Sequence, residues 1–167
     1  MYYICVFFEK VKKFIVIKSK ILYWKIKYGK RIKIGKGLKF RKGFIINIDK
    51  NGFLEIGNNN FFNNYCSLNI HDKLIIGNDN NFGENVKLYD HNKVFNDKKV
   101  DMKHTYKTSK ITMGNYNWIG SNVVILKNAS LGNYNVVAAG LVLNDKYSDE
   151  NLINRKNDYE VEKINYK

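Results

Sequence analysis

Three histidines, His71, His91 and His104, are this chain's candidates for proton transfer near neutral pH. His91 follows Asp90 inside the polar run YDHNKVFNDKKVDMKHTYKTSK, which spans residues 89–110. An imidazole there could serve as a general base, removing the proton of a weak nucleophile such as a hydroxyl as attack proceeds. The plain alternative is a solvated loop histidine. A zinc site built from all three is disfavoured, because their spacings are 20 and 13 residues. His71 reads as a corner residue and His104 as a loop residue. Cys5 and Cys66 share no metal-type spacing and read as free thiols of a reducing compartment. Cys66 sits in a repeat without a paired histidine, which argues against an acyl-carrying nucleophile.

Such groups need a scaffold, and the scaffold is written with a period of six. The cleanest units are IGNNNF (56–61), IGNDNN (76–81), FGENVK (82–87), MGNYNW (113–118), IGSNVV (119–124) and LGNYNV (131–136). Apolar residues open them: Ile56, Phe62, Leu68, Ile76, Phe82 and Leu88, then Met113, Ile119, Ile125, Leu131, Val137 and Leu143. A flexible Gly/Asn-rich loop would show no such column. One large apolar residue per unit suits a short strand, and the Gly and Asn that follow suit a tight corner. Three units close a triangular coil of 18 residues, so Met113 should stack on Leu131 and Ile119 on Val137. Such coils are stable only when stacked. The first series slips by two residues between Leu68 and Ile76, which predicts a bulge or turn over Asn69–Lys73. The column fails between Leu88 and Met113, and an excursion from a regular solenoid is usually functional. It ends near Leu143.

Charge sits at one end. The net charge is +14, yet residues 1–43 hold fourteen Lys/Arg against the single acid Glu9, and the remainder is close to neutral. That distribution argues against a nucleic-acid-binding body. Ile4, Phe7, Phe8, Val11, Phe14 and Ile15 follow helical spacing, and Ile17, Ile21, Trp24 and Tyr28 continue it on a shifted face. A helix over residues 1–28 is expected, with Gly29 as its stop; the β-branched run at 15–17 argues against one unbroken rod. This segment either packs on the end of the coil or on a neighbouring subunit, or lies on an anionic membrane surface. No apolar run reaches the roughly 18–20 residues of a membrane span, and the first residues lack a signal-peptide pattern. The expected location is cytoplasmic, with the inner face of a membrane as the closer specification. The organisation expected is a basic helical segment over 1–30, a β-helix domain over 31–145 with its excursion at 89–110, and a capping segment over 146–167.

The run IGNDNNFGENVKLYDHNKVF, the excursion, and ITMGNYNWIGSNVVILKNASLGNYNVVAAGLVLN together resemble the hexapeptide-repeat acyltransferases. Nearest by pattern are the sugar O-acetyltransferases of bacterial capsule, lipopolysaccharide and exopolysaccharide assembly. The resemblance covers about residues 30–145. It implies an all-β fold, a left-handed parallel β-helix that is an exception to the right-handed crossover rule, and a homotrimer with active sites between subunits. It implies acetyl-CoA as co-substrate, a sugar or glycan hydroxyl as acceptor, and no metal; a small metabolite or a nucleotide-linked amino sugar is the alternative acceptor. His91 falls on the catalytic base, with a backbone amide near Ser121 as oxyanion donor. Asn64, Asp72 and Asp90 fall on acceptor-binding positions. Trp118, Ser121, Ala139, Gly140 and Lys146 fall on acetyl-CoA-binding ones. The chain departs from the family pattern at Lys93, where many relatives carry a second histidine, and at Leu141, where they carry a small residue. Asn144, Asp145 and Lys146 stand near the usual Thr-Lys, and the proline-rich close is absent.

Overall fold

Every opener of the six-residue units turns inward, and all twelve are buried, none above 3% exposure. Their column is the core of a parallel β-solenoid, seen in a computed structural model that describes residues 2–95 and 98–155. The first face stacks Ile32–Ile34, Phe53–Ile56, Lys73–Ile76, Ile111–Met113, Ser130–Leu131 and Lys146–Tyr147. The second stacks Lys39–Phe40, Phe61–Phe62, Asn81–Phe82, Trp118–Ile119, Val136–Val137 and Leu152–Ile153. The third stacks Ile45–Ile48, Ser67–Ile70, Lys87–Tyr89, Val124–Leu126 and Val142–Leu143. Met113 pairs with Leu131 and Ile119 with Val137, as the repeat predicts.

The coils are not of one length. Stacked residues lie 22, 20, 37, 18 and 16 positions apart from one end to the other. The step of 20 carries the two-residue slip, which is a bend at His71–Asp72 between two strands of neighbouring faces. The step of 37 carries the excursion. Its root is an antiparallel hairpin that pairs His91–Lys93 with Tyr106–Thr108. The polar composition of the segment gives no sign of that order.

One corner shows why Asn recurs. Asn60, Asn80, Asn117 and Asn135 are buried to 1% exposure or less, and each Oδ1 accepts the backbone N–H of the next: Asn80 at 3.0 Å, Asn117 at 2.9 Å, Asn135 at 2.8 Å and Asn151 at 2.9 Å. A second file, Asn58, Asn78, Asn115, Asn133 and Asp149, runs the other way nearer the surface: each Oδ1 from Asn78 onward accepts the backbone N–H of the residue before it in the file. The residue between each pair takes a left-handed φ near 60° (Asn59, Asp79, Tyr116, Tyr134 and Glu150). Buried backbone groups at a corner lack strand partners, and the amide ladder supplies them. The same chemistry corrects the expected end of the repeat. Asp149 and Asn151 extend both files, and Lys146–Tyr147 and Leu152–Ile153 form strands of a further coil beyond Leu143. The last residues of the expected capping segment, 156–167, lie outside the described part.

The N-terminal helix runs unbroken over Tyr2–Tyr28 and continues as a single 3₁₀ turn, Gly29–Arg31. Gly29, at φ +54°, ends the α-helical run. Its second half closes the open end of the core. Trp24 lies 5.4 Å from Phe40 and 5.6 Å from Phe44, and these rings lead into the stack of Phe44, Phe62 and Phe82. The Tyr28 hydroxyl donates to the Ile46 carbonyl at 2.9 Å. Packing of Ile17 and Ile21 against the core offsets the low helix propensity of the β-branched run.

Candidate active site

The third face positions the site. Strand Lys87–Tyr89 ends at Asp90, where the chain leaves the solenoid for the hairpin. Asp90 is fully buried, and both its carboxylate oxygens are used. Oδ1 accepts the backbone N–H of His71 at 2.8 Å and lies 3.0 Å from His91 Nδ1; Oδ2 accepts the backbone N–H of Asp72 at 2.8 Å. One carboxylate therefore ties the bend of the preceding coil to the root of the excursion. With Nδ1–H of His91 donated to Asp90, the other ring nitrogen, Nε2, is left as the proton acceptor. This is the arrangement a general base requires.

Other rings surround it. The His71 imidazole lies 3.7 Å from that of His91, centroid to centroid, and Tyr106 closes on both at 4.3 and 5.2 Å. Burial first, and then the neighbouring His91, hold the His71 imidazole below its ordinary range. Lys93 lies over the Tyr106 ring at 3.9 Å and donates to the Lys103 carbonyl, bracing the hairpin. His104, at the exposed end of the excursion, meets Asp101 at 2.6 Å, and that bond lowers the Asp101 carboxyl. The result is a groove of about 680 Å³ whose walls include Tyr28, Asn47, Asp49, Asn69, His71 and His91. It runs from the end of the helix to the imidazole. Among the described residues, no group of three or more His, Cys, Asp or Glu side chains is placed to hold a metal ion.

The residues expected at the site divide between two places. Asp72 sits at the bend beside His71, half-buried. Asp90, expected on the acceptor, has no exposed surface and instead holds His91 and the bend. Asn64 stands at the other end of strand Ser67–Ile70, where its side chain donates to Glu84 at 3.0 Å. Down that same corner, Ser121 Oγ accepts the Glu84 N–H at 3.1 Å, and Gly140 donates its N–H to the Ser121 carbonyl at 2.9 Å. Ala139 and Gly140 are exposed there, and Trp118 projects from the second face at 58% exposure. Lys146 is exposed on the first face. None of Trp118, Ser121, Ala139, Gly140 and Lys146 lines the His91 groove. Beside Gly140 a second cleft, of about 310 Å³, reaches Val142, Tyr147 and Arg155. His71 and Tyr106 were missed as site residues; the two-residue slip was the one signal that marked the neighbourhood of His71. Cys66 is buried, its thiol is pushed up by burial, and it meets the Gly83 carbonyl at 3.1 Å, which suits packing rather than attack.

Residues 110–145 match the family model for the bacterial transferase hexapeptide, six repeats. That match covers the unbroken second series of repeats. Solved structures share the fold of the solenoid. AntD, an N-acyltransferase from Bacillus cereus in complex with dTDP and 3-hydroxybutyryl-CoA, matches with a TM-score of 0.62 at 17% identity, over 71% of this chain and 65% of that one. A hexapeptide-repeat-containing acetyltransferase from Vibrio cholerae, complexed with acetyl coenzyme A, matches with a TM-score of 0.66 at 20% identity, over 79% and 69%. A galactoside acetyltransferase in complex with coenzyme A matches with a TM-score of 0.55 at 25% identity, over 64% and 52%. The chain spans between about half and just over two thirds of the length of these structures.

Proposed function

We propose that the chain is an O-acetyltransferase that moves an acetyl group from acetyl-CoA to a sugar hydroxyl in bacterial surface polysaccharide biosynthesis. The observation that carries this reading is the buried Asp90 carboxylate holding His91 at the mouth of a groove, on a solenoid shared with acetyltransferases. In this mechanism His91 Nε2 takes the proton of the acceptor hydroxyl as its oxygen attacks the thioester carbon. A backbone amide near Ser121 faces the developing oxyanion. Collapse of the tetrahedral intermediate breaks the C–S bond, and the imidazolium returns its proton to the departing thiolate. The groove's amides, carboxylate and rings (Asn47, Asn69, Asp49, Tyr106), with Asp72 beside it, suit a polyhydroxylated acceptor.

The corner of Ser121, Ala139 and Gly140 suits the pantetheine arm, because small residues let an extended chain lie against the coil. Trp118 would flank that arm, and Lys146 or Arg155 would meet a phosphate. In one chain these residues stand at the far corner of the third face from His91 or on the other two faces. The reading therefore includes a homotrimer in which one subunit supplies His91 and its neighbour the acetyl-CoA corner. It also includes a cytoplasmic enzyme with peripheral membrane contact through residues 1–28.

The test is acetyl transfer to a panel of sugar acceptors, with the product followed by mass. His91→Ala is expected to lower turnover by about 10²–10⁴-fold while acetyl-CoA binding survives. Wild-type turnover in that variant would remove the mechanism, and transfer only to an amino group would replace the acceptor.

A further inference from the structure

The N-terminal helix carries two surfaces on one rod. Ile17, Ile21, Trp24 and Tyr28 face the end of the solenoid. Ahead of them, Ile4, Phe7, Phe8, Val11, Phe14 and Ile15 recur at the three- and four-residue steps that keep to one side of a helix. That side is rotated roughly a third of a turn from the docking side. It is bare: Phe7, Phe8 and Phe14 are 63%, 64% and 61% exposed. A continuous apolar strip of this kind marks an interaction surface.

Charge selects the occupant. Lys10 and Lys12 flank the strip and Lys18 continues it, while the one acid, Glu9, lies 3.9 Å from Lys13 on the opposite side of the helix. A second copy of this helix laid along the strip would bring lysines against lysines. An anionic bilayer answers both features: rings and aliphatic side chains enter the boundary between headgroups and acyl chains, while lysine stems run up to the phosphates. Lys18 already lies 5.4 Å from the Phe14 ring. No helix among the described residues is long and apolar enough to cross a membrane, so the fit is to the interface.

The geometry points to residues 4–18 as an interfacial anchor for anionic lipid, joined rigidly to the solenoid by residues 17–28. Lys27 and Tyr28 at the end of the rod also line the His91 groove. The anchor therefore keeps that groove beside the lipid surface, and in assigning it a membrane-borne glycan acceptor the inference rests on the acyltransferase reading.

The experiment is co-sedimentation of the full chain with vesicles of phosphatidylglycerol and phosphatidylcholine, against phosphatidylcholine alone. The comparison protein carries Phe7→Ser, Phe8→Ser and Phe14→Ser, which are exposed positions and should leave the melting transition in place. Binding to the anionic vesicles is expected to fall at least about ten-fold in the triple variant and in high salt. Equal binding by the variant, or none by the wild type at low salt, would overturn the anchor. So would a wild-type oligomer that comes apart in the variant, which would give the strip to a second copy. Transfer to a soluble acceptor should be unchanged in the triple variant. The vesicle result thus stands or falls separately from the chemistry at His91.

Discussion

The His71 ring lies against that of His91, and its backbone N–H is held by the same Asp90 carboxylate that meets the His91 ring. The His71 ring is held below its ordinary range by burial and by His91. The unfolded chain therefore takes up a proton at His71 at a higher pH than the folded chain does. Stability from this residue is complete above the unfolded value, about 6.5, and is lost as pH falls through it toward the folded value. Thermal melts between about pH 7 and 5.5 should show Tm falling with acidity, and His71→Asn should fall less steeply. Parallel slopes in the two proteins would remove the linkage. At this scale the sequence was half legible. His91 stood out because a histidine beside an aspartate interrupts a regular column. The work of Asp90 did not, because its partners are backbone amides of the preceding coil, nineteen and eighteen residues away, and amide donors leave no trace in residue type.

The coil is specified more by its corners than by its strands, which are two to four residues long. Asn80 shows the weight a corner carries. Its side chain donates to Asn60 and to the Gly114 carbonyl, both at 3.0 Å, and accepts the backbone and side-chain amides of Asn117, both at 2.9 Å. Asn80→Ala would leave the Gly114 carbonyl and the Asn117 N–H buried without partners, and should cost about 3 kcal/mol by chemical denaturation. Asn58→Ala, in the exposed file, should cost under about 1 kcal/mol because water replaces the lost bond. Equal costs would mean that the buried file is not what holds the corner. The hydrophobic beat predicted the strands correctly, since Ile119, Ile125 and Leu131 each point inward from a successive side of the triangle. It failed where coil length varies. The last coil, with its step of 16, drops out of a strict beat of six, yet its Asp149 and Asn151 repeat the Asn-x-Asn spacing of the four corners before it. The hairpin was invisible for another reason: its pairing depends on the excursion returning to the solenoid, and its strands lack alternating apolar residues.

The whole molecule presents His91 on one side and the corner proposed for the acyl donor on another. A solenoid is stiff, since each coil is hydrogen-bonded to the next along all three faces. Bending one chain to bring Trp118 to His91 would break those ladders, whereas the proposed threefold assembly would bring the two together without deforming either subunit. This makes the interface testable by mixing. His91→Ala and Trp118→Ala subunits, each poorly active alone, should regain activity when unfolded and refolded together. An intact site forms wherever the His91 of a Trp118→Ala subunit meets the Trp118 of a His91→Ala subunit. Random assembly makes about a quarter of the sites intact, so activity should rise to about a quarter of wild type. Activity that stays at the mean of the two parent proteins would place both residues in one subunit's site, or outside it, and would separate the hexapeptide solenoid from the shared active site proposed for it.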